Sequence, residues 1–544
     1  MSADLSLHDP LEAHHLQPSK QGVGADNNEL VEHKASEDMV AVRRRALDEI
    51  DNAKFGWFHI KACLVAGIGF FTDSYDIFAI NLCSTIMGYV YYAEATGSAK
   101  NTTPTSIDMW IKGSTQIGCI FGQLAFGYLA DRLGRKKMYG TELIIIIVCT
   151  IGGAFAGGAM RGLSVYWVLF IWRFVLGIGI GGDYPVSAVL TSELATSKNR
   201  GAMIAAVFAM QGFGIVAAAI VSIVVLACFR TATEGDQLML DYVWRIIMGL
   251  GVVPGIIALY SRLTIPETPR YTLDVEQNVH RAARDVRATV GAAGHKTVDD
   301  VSEHLHSDHA QAMVQKPTWT EFYHYFKQWK HFRVLMGTSV TWFALDVAFY
   351  GVNLNSSIIL TAIGFAGNGT PYHALIMTAA GNIILNLLGT LPGYWVTVFT
   401  IDRLGRRTIQ FFGFTMLLIL FCILGFAYHQ ILDKSVAAFV VLFTLAQFFQ
   451  NFGPNTTTFI IPSEAFPTRF RSTCHGISAA SGKVGAVVAQ LGFFHLKDRG
   501  GKNAFIPQLI QIFALFMLIG LVFTWFVPET KGKTLEELSN EMDD

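Results

Sequence analysis

The sequence predicts an all-α membrane protein with twelve transmembrane helices, arranged as two pseudo-symmetric bundles of six. Three observations support this fold class. The chain of 544 residues is 52% hydrophobic and only 15% charged, whereas soluble domains carry about 25% charged residues. Its apolar segments are each close to the roughly 20 residues that a helix needs to cross a bilayer. Several charged motifs of the first half also recur in the second half.

The twelve apolar segments follow one another regularly along the chain. They lie near residues 60–90, 108–130, 139–160, 165–191, 201–228, 242–263, 334–358, 372–397, 408–430, 435–458, 474–495 and 505–527. A hydrophilic stretch after the sixth segment divides them six and six. The expected domains are a disordered cytoplasmic N-terminal tail (1–54), a first six-helix bundle (55–265), a cytoplasmic central loop (266–333), a second six-helix bundle (334–528) and a cytoplasmic C-terminal tail (529–544).

Lys and Arg are concentrated in the loops after the even-numbered segments, such as 131–137 and 402–407. Basic loops stay in the cytoplasm, so both termini are expected there, in a multi-pass protein of the plasma membrane. The polar N-terminus contains no short apolar h-region, and the first span is expected to act as the internal signal.

Composition also excludes several functional classes. A net charge of −1 argues against a nucleic-acid partner. The seven Cys are irregularly spaced within or beside apolar segments, which predicts neither disulfides nor a metal site. No nucleophile–base motif or cofactor motif is present, so we expect neither an enzyme nor a cofactor.

The two halves of the chain contain the same motifs at a constant offset. The segment 131–136, DRLGRK, recurs 271 residues later as DRLGRR, and the same offset relates Glu193 to Glu464 and Arg200 to Arg471. Pro-Glu-Thr occurs at 266–268 and again at 528–530. These repeats indicate a duplicated six-helix unit, which is typical of secondary transporters with a binding site between the halves.

The repeated charged residues lie at predicted cytoplasmic helix ends. We predict an ion-pair latch that breaks and re-forms as the halves move. A purely topological role would explain the basic residues but not the acidic ones, which contribute little to orientation. The predicted gate comprises Asp131, Arg132, Arg135, Arg173, Glu193, Arg200, Asp402, Arg403, Glu464 and Arg471.

The segment 181–188, GGDYPVSA, places Asp183, Tyr184 and the helix-interrupting Pro185 inside the fourth apolar segment. An Asp at mid-bilayer depth costs about 2.5–3.5 kcal/mol on insertion scales, so such residues usually face a cavity and function there. Gly181 and Gly182 permit close helix approach. We therefore predict a polar site at the midplane.

Other intramembrane polar residues are expected to converge on this site. Asp73 and Asp76 lie three residues apart, on one helix face, and Asp76 is the preferred proton acceptor; one of the two could instead be satisfied by a neighbouring hydroxyl or backbone group. Glu142 fits a proton-path group and a structural hydrogen bond equally well. Trp342, Asp346 and Tyr350 form a stripe at steps of four in the seventh segment. Further candidates are Gln211, Asn455 and Lys483, although an isolated buried amide more often bonds a neighbouring helix.

These motifs resemble the major facilitator superfamily over residues 55–531. Within it, the segment GGDYPVSA with Ser192-Glu193, and the segment 464–473, EAFPTRFRST, are similar to fungal and plant proton-coupled phosphate symporters. The resemblance implies phosphate binding by Tyr184, Gln211, Trp342, Asp346, Tyr350 and Asn455. It implies proton coupling or charge balance by Asp76, Asp183 and Lys483.

We therefore expect an importer of inorganic phosphate that couples phosphate to protons by alternating access. Phosphate near neutral pH retains a P–OH group, which can donate a hydrogen bond to Asp346. Sulfate has no such group. We expect Asp76, Asp183 and Asp346 to open onto one cavity between the bundles. The alternatives are a sugar or glycerophosphodiester symporter of the same fold, and a phosphate receptor that does not transport.

Overall fold

The computed structural model describes residues 55–92, 103–157, 164–265, 267–275, 318–365 and 370–539. The expected N-terminal tail and most of the expected central loop lie outside these residues. The described chain is helical and contains no strand. We call the described residues from 55 to 275 the N half and those from 318 to 539 the C half.

The N half contains nine α-helices. They are α1 (Trp57–Tyr91), α2 (Thr105–Leu133), α3 (Arg135–Ala154), α4 (Val165–Leu194), α5 (Arg200–Cys228), α6 (Arg230–Gly235), α7 (Leu240–Gly249), α8 (Val252–Thr264) and α9 (Pro269–Asp274). Helices α7 and α8 together form the sixth span, and a short 3₁₀ turn, Gln237–Met239, precedes them.

The C half repeats this order with more interruptions. Its helices are α10 (Trp319–Phe326), α11 (Trp329–Asn353), α12 (Ser356–Ala362), α13 (Pro371–Leu385), α14 (Leu391–Leu404), α15 (Arg406–Phe426), α16 (Tyr428–Lys434), α17 (Val436–Asn451), α18 (Pro454–Ala465), α19 (Arg471–Leu496), α20 (Ile506–Phe523) and α21 (Leu535–Ser539). A π-turn, Asn386–Thr390, joins α13 to α14 as one span.

Eleven of the helical segments are long and apolar enough to cross a membrane. The remaining long helix, α2 (Thr105–Leu133), is not among these eleven, and it is packed against helices of both halves. A Cβ at Gly118 would lie 2.0 Å from the Phe174 carbonyl oxygen of α4, and one at Gly127 would lie 2.7 Å from the Ser472 carbonyl oxygen of α19. Helix α2 therefore joins the two halves, and it completes the twelve-helix fold predicted from the sequence.

The GGDYPVSA segment lies within α4, which continues through Pro185 without a break. A Cβ at Gly181 would lie 2.4 Å from the Cys119 carbonyl oxygen, and one at Gly182 would lie 2.7 Å from the Phe126 ring. Close packing against α2 therefore requires both glycines, as the sequence predicted. This contact fixes the rotation of α4, and with it the directions of Asp183 and Tyr184.

Candidate substrate and proton sites

A group of polar side chains meets at the centre of the molecule, between the halves. Lys483 of α19 donates from Nζ to Asp346 Oδ2 at 3.3 Å and to the Tyr350 hydroxyl at 2.6 Å. Its ammonium also lies 4.8 Å from the ring centre of Tyr184, in the N half. All four side chains are buried. A single cation is therefore surrounded by one carboxylate and two phenols.

Neutral donors extend this group on its other side. Gln211 Nε2 donates to the Tyr184 hydroxyl at 2.9 Å, and the Tyr394 hydroxyl donates to Gln211 Oε1 at 3.3 Å. Asn455 Nδ2 donates to the Tyr394 hydroxyl at 2.8 Å. Two residues from the N half are thus linked to two from the C half. Sequence analysis missed Tyr394, because a tyrosine in an apolar span carries no motif.

Trp342 completes this group through aromatic contacts. Its indole centre lies 6.5 Å from the Tyr184 ring and 6.4 Å from the Phe459 ring. A Cβ at Gly482 would lie 2.5 Å from Trp342 Cδ1, so that glycine gives the indole its space. We call the whole set the central polar site: Tyr184, Gln211, Trp342, Asp346, Tyr350, Tyr394, Asn455 and Lys483.

Two of the other predicted acids, Asp76 and Asp183, have hydrogen-bond partners outside the central polar site, so the described contacts do not bring them together with Asp346 as expected. Asp76 accepts a 2.6 Å hydrogen bond from Thr150 of α3. Asp183 accepts from Arg262 of α8 at 2.7 Å and also from Ser187. Neighbouring positions on a helix point about 100° apart. Asp183 therefore faces α8, while the adjacent Tyr184 faces the centre.

Asp73 and Glu142 lie close to Asp183 rather than to Asp346. Arg262 Nη1 donates to Glu142 Oε1 at 3.3 Å. Asp73 is fully buried, and neither carboxylate oxygen has a hydrogen-bond partner among the described residues. Arg262 was missed by sequence analysis, although a lone Arg inside an apolar span is a signal that could have identified it.

Arg173 does not belong to the predicted gate. Its Nε donates to the Ile111 carbonyl oxygen at 3.1 Å, and its Nη1 lies 3.4 Å from the Asp76 carbonyl oxygen. It precedes Glu193 by twenty residues in the same helix, which is about 30 Å at 1.5 Å per residue. It therefore lies towards the opposite end of α4.

The predicted gate residues meet at the basic end of the bundle, where α2 joins α3 and α14 joins α15. Arg135 Nη2 lies 3.2 Å from Glu193 Oε1, and Arg471 of the C half reaches the same oxygen at 3.1 Å. Thr268 donates to the other Glu193 oxygen at 2.6 Å. One buried carboxylate thus binds two guanidinium groups, one from each half.

The C half repeats this arrangement with pseudo-symmetric residues. Glu464 binds Arg406 at 2.8 Å and Arg200 of the N half at 2.9 Å, and Thr530 donates to it. Because Thr268 and Thr530 come from the Pro-Glu-Thr motifs, the structure gives these motifs a common role. The basic end therefore contains the same ion-pair unit twice.

Two aspartates extend the symmetry to helix termini. Asp131 accepts from the backbone N–H groups of Ser472 at 3.1 Å and Thr473 at 2.7 Å, at the start of α19. Asp402 accepts from the backbone N–H of Ala202 at 2.8 Å, at the start of α5. A carboxylate at a helix N-terminus is stabilising. Each half therefore caps a helix of the other.

Arg132 and Arg403 do not take part in these contacts. Both side chains are exposed, and we find no ion pair for either among the described residues. The glycines that follow, Gly134 and Gly405, have φ of +102° and +96° and turn the chain, so that the second Arg of each motif points inward. Arg406 replaces Arg403 in the set that we call the ion-pair latch: Asp131, Arg135, Glu193, Arg200, Asp402, Arg406, Glu464 and Arg471.

The C-terminal segment packs against this latch. Arg200 Nη2 donates to the Lys533 carbonyl oxygen at 2.7 Å, and Arg270 Nε donates to Glu536 Oε1 at 3.0 Å. Burial alone would raise the pKa of Glu536, but the charge and hydrogen bond of Arg270 outweigh it and lower that pKa to about 2. Glu536 is therefore ionised at neutral pH.

Neutral amides connect the halves at the opposite end. Asn81 Nδ2 donates to Ser356 Oγ at 2.6 Å and to the Asn353 carbonyl oxygen at 3.3 Å. Gln447 Nε2 donates to Asn353 Oδ1 at 2.6 Å. These contacts leave a small cavity of about 30 Å³. Sequence analysis missed this group, because scattered amides in apolar spans share no spacing.

The chain is similar to known membrane transporters. A family model described as "Sugar (and other) transporter" matches residues 62–542. The chain is 46% identical to a repressible high-affinity phosphate permease of Neurospora crassa, over 92% of this chain and 90% of that protein. It is also 46% identical to the inorganic phosphate transporter PHO84 of Saccharomyces cerevisiae, over 99% and 92%. A plant relative, the low affinity inorganic phosphate transporter 4 of Lotus japonicus, is 40% identical over 91% and 94%.

Solved structures show the same fold. The proton:xylose symporter XylE, bound to 6-bromo-6-deoxy-D-glucose, aligns with a TM-score of 0.68 at 22% identity, over 88% of this chain and 98% of that chain. A partially occluded inward open conformation of XylE from E. coli aligns with a TM-score of 0.65 at 20% identity, over 88% and 100%.

Proposed function

This chain belongs to the sugar (and other) transporter family of the major facilitator superfamily, and we propose that it imports inorganic phosphate together with protons by alternating access. The observation that carries the proposal is the central polar site, where one buried cation, one carboxylate and several neutral donors meet between the halves. The two fungal relatives, a phosphate permease and a phosphate transporter, support the choice of substrate.

The donor set suits phosphate. Lys483 supplies positive charge, while Gln211, Asn455 and the phenols supply neutral hydrogen bonds to phosphate oxygens. Asp346 accepts from the P–OH group, and it pairs with Lys483 when phosphate is absent, so neither charge is left isolated. Sulfate has no proton to donate to Asp346 near neutral pH, so the negative charge of the Asp346 carboxylate repels it and excludes it from the site.

Proton coupling is assigned to the buried acids outside the central polar site. Asp76 is the main candidate, because it is buried and only Thr150 donates to its side chain among the described residues. Protonation reduces negative charge near the centre before the anion binds. The halves then move, the ion-pair latch opens, and phosphate and protons leave together.

We place the basic end in the cytoplasm and the protein in the plasma membrane. The loops at that end contain Arg132, Lys136, Arg403 and Arg407, and basic loops remain on the cytoplasmic side. Both termini then lie in the cytoplasm as well. Phosphate enters from the end closed by neutral amides and leaves at the ion-pair latch.

The test is uptake of labelled phosphate into proteoliposomes, with and without an inward proton gradient. Uptake should increase with the gradient, and arsenate should compete while sulfate, glucose and glycerophosphodiesters do not. Asp346→Asn should lower uptake by at least about tenfold, since a hydrogen bond to a charged group contributes about 1.5–3 kcal/mol. Asp433→Asn, at an exposed position, is the matched control.

Three results would overturn the proposal. Binding of phosphate without any uptake would indicate a receptor. Competition by glucose or a glycerophosphodiester would indicate a different substrate. Undiminished uptake by a correctly folded Asp346→Asn protein would remove the assigned role of the central polar site.

A further inference from the structure

Arg262, to which the proposed function gives no role, lies in a buried charged cluster. The cluster consists of Asp73 on α1, Glu142 on α3, Asp183 on α4 and Arg262 on α8, each with 0% of its surface exposed. Arg262 Nη2 donates to Asp183 Oδ2 at 2.7 Å, and Nη1 donates to Glu142 Oε1 at 3.3 Å. One guanidinium therefore joins acids from two different helices.

The surrounding residues hold the guanidinium in place. A Cβ at Gly69 would lie 1.5 Å from Arg262 Nη2 and 2.5 Å from Asp183 Oδ2. Gly69 thus provides the space that the ion pair occupies, one helical turn before Asp73. On the other side, the guanidinium carbon lies 4.3 Å from the ring centre of Tyr139.

The cluster contains more acids than bases. Three carboxylates face one guanidinium, and both oxygens of Asp73 and Oε2 of Glu142 have no hydrogen-bond partner among the described residues. Other cations nearby serve other acids: Lys483 pairs with Asp346, and Arg173 lies beside Asp76. Full ionisation would leave two uncompensated buried charges, which is costly.

We propose that Arg262 is a positioning residue for proton coupling, whose charge sets how tightly the neighbouring acids Asp73 and Glu142 hold protons during transport. This proposal rests on the proposed proton-coupled import. With Arg262 in place, repulsion among the acids is partly offset, and protons leave at neutral pH. Asp183 also adjoins Tyr184 of the central polar site, so the cluster and that site share helix α4.

The experiment measures gradient-driven phosphate uptake as a function of the pH inside the proteoliposomes, where protons are released. Arg262→Gln removes the positive charge, so protons are held more tightly, and the internal pH for half-maximal uptake should rise by about 1–3 units. Glu142→Gln removes a negative charge and should shift that pH downward. In the double variant, the internal pH for half-maximal uptake should return towards the wild-type value. Arg262→Lys, which keeps the positive charge, should restore part of the wild-type pH profile.

Phosphate exchange at equal phosphate on both sides supplies the second measurement, because exchange requires no net proton release. Arg262→Gln should reduce exchange much less than net uptake. The proposal is overturned if both single variants lower uptake without moving the pH profile, or move it in the same direction. If Arg262→Gln does not fold, the Glu142→Gln variant tests the proposal: a downward shift of the internal pH for half-maximal uptake supports it, and an upward shift or no shift overturns it. Absence of gradient-driven uptake in the wild type would instead refute the proposed function.

Discussion

Breaking one ion pair of the latch should open the basic end of the bundle. Arg471 Nη1 lies 3.1 Å from Glu193 Oε1, and both side chains are fully buried. Arg471→Gln removes this contact between the halves, while Arg135 and Thr268 of the N half still bind Glu193. The substitution therefore destabilises the state in which the basic end is closed, and it leaves each half largely unaffected.

The contacts that Glu193 keeps determine how much free energy the closed state loses in Arg471→Gln. Removing one partner of an isolated buried pair costs 3–5 kcal/mol, but Glu193 keeps its other guanidinium. The loss is then closer to that of one charged hydrogen bond, about 1.5–3 kcal/mol. Since 1.4 kcal/mol is a factor of ten, the ratio of open to closed molecules should rise roughly 10- to 150-fold.

Spin labels can measure this change as a distance distribution. Lys198 and Arg469 are exposed in pseudo-equivalent loops of the two halves, and Cys substitutions there, in a background without the exposed Cys228, report on the basic end. Arg471→Gln should increase the population at long distance. Arg200→Gln, which breaks the symmetric pair with Glu464, should do the same.

Arg403→Gln is the matched control, because Arg403 lies in the same loop system but is exposed. Its distance distribution should equal that of the wild type. If Arg471→Gln and Arg200→Gln also leave the distribution unchanged, the ion pairs do not hold the halves together and the latch interpretation is wrong. A change in the Arg403→Gln control would show that loop charge, rather than the buried pairs, sets the equilibrium.

Two further substitutions test local features. Gly482→Ala should strongly lower phosphate uptake, because the new Cβ would lie 2.5 Å from the Trp342 ring, whereas Gly492→Ala in the same helix has open space and should retain uptake. Equal uptake by both variants would contradict the packing argument. Glu536→Gln should speed tryptic cleavage of the C-terminal segment. Because the pKa of Glu536 is lowered from 4.5 to about 2, docking of the segment should be intact above pH 4.5 and weaken as the pH falls towards 2; cleavage by pepsin that does not increase over this range would refute it.

The sequence was sufficient to predict the helices and most members of the ion-pair latch. The length of an apolar segment identifies a membrane span. The constant offset of 271 residues identifies Glu193 and Glu464 as equivalent positions of the two halves. It could not predict which Arg of each DRLGR motif points inward. That depends on the positive φ of Gly134 and Gly405, where the chain turns before the second Arg begins the next helix.

The grouping of the acids was also beyond the sequence. Asp183 and Tyr184 are adjacent in one motif and were expected to serve one site, yet the 100° between successive helix positions sends them to different partners. Arg262 has no counterpart in a motif, and its two acids lie 79 and 120 residues away. Only the packing of α3, α4 and α8 brings these groups together.

Duplication followed by divergence explains why the two halves share a latch but not a site. The offset of 271 residues places Tyr184 opposite Asn455 and Gly212 opposite Lys483, so pseudo-equivalent positions border the centre with different chemistry. The same offset places Asp183 opposite Pro454 and Glu142 opposite Gly413, so the C half lacks the acids of the N-half cluster. On the proposed function, the C half supplies the cation that binds the anion, and the N half supplies the acids that carry protons. Coupling then requires both halves, because neither contains the complete set of charges.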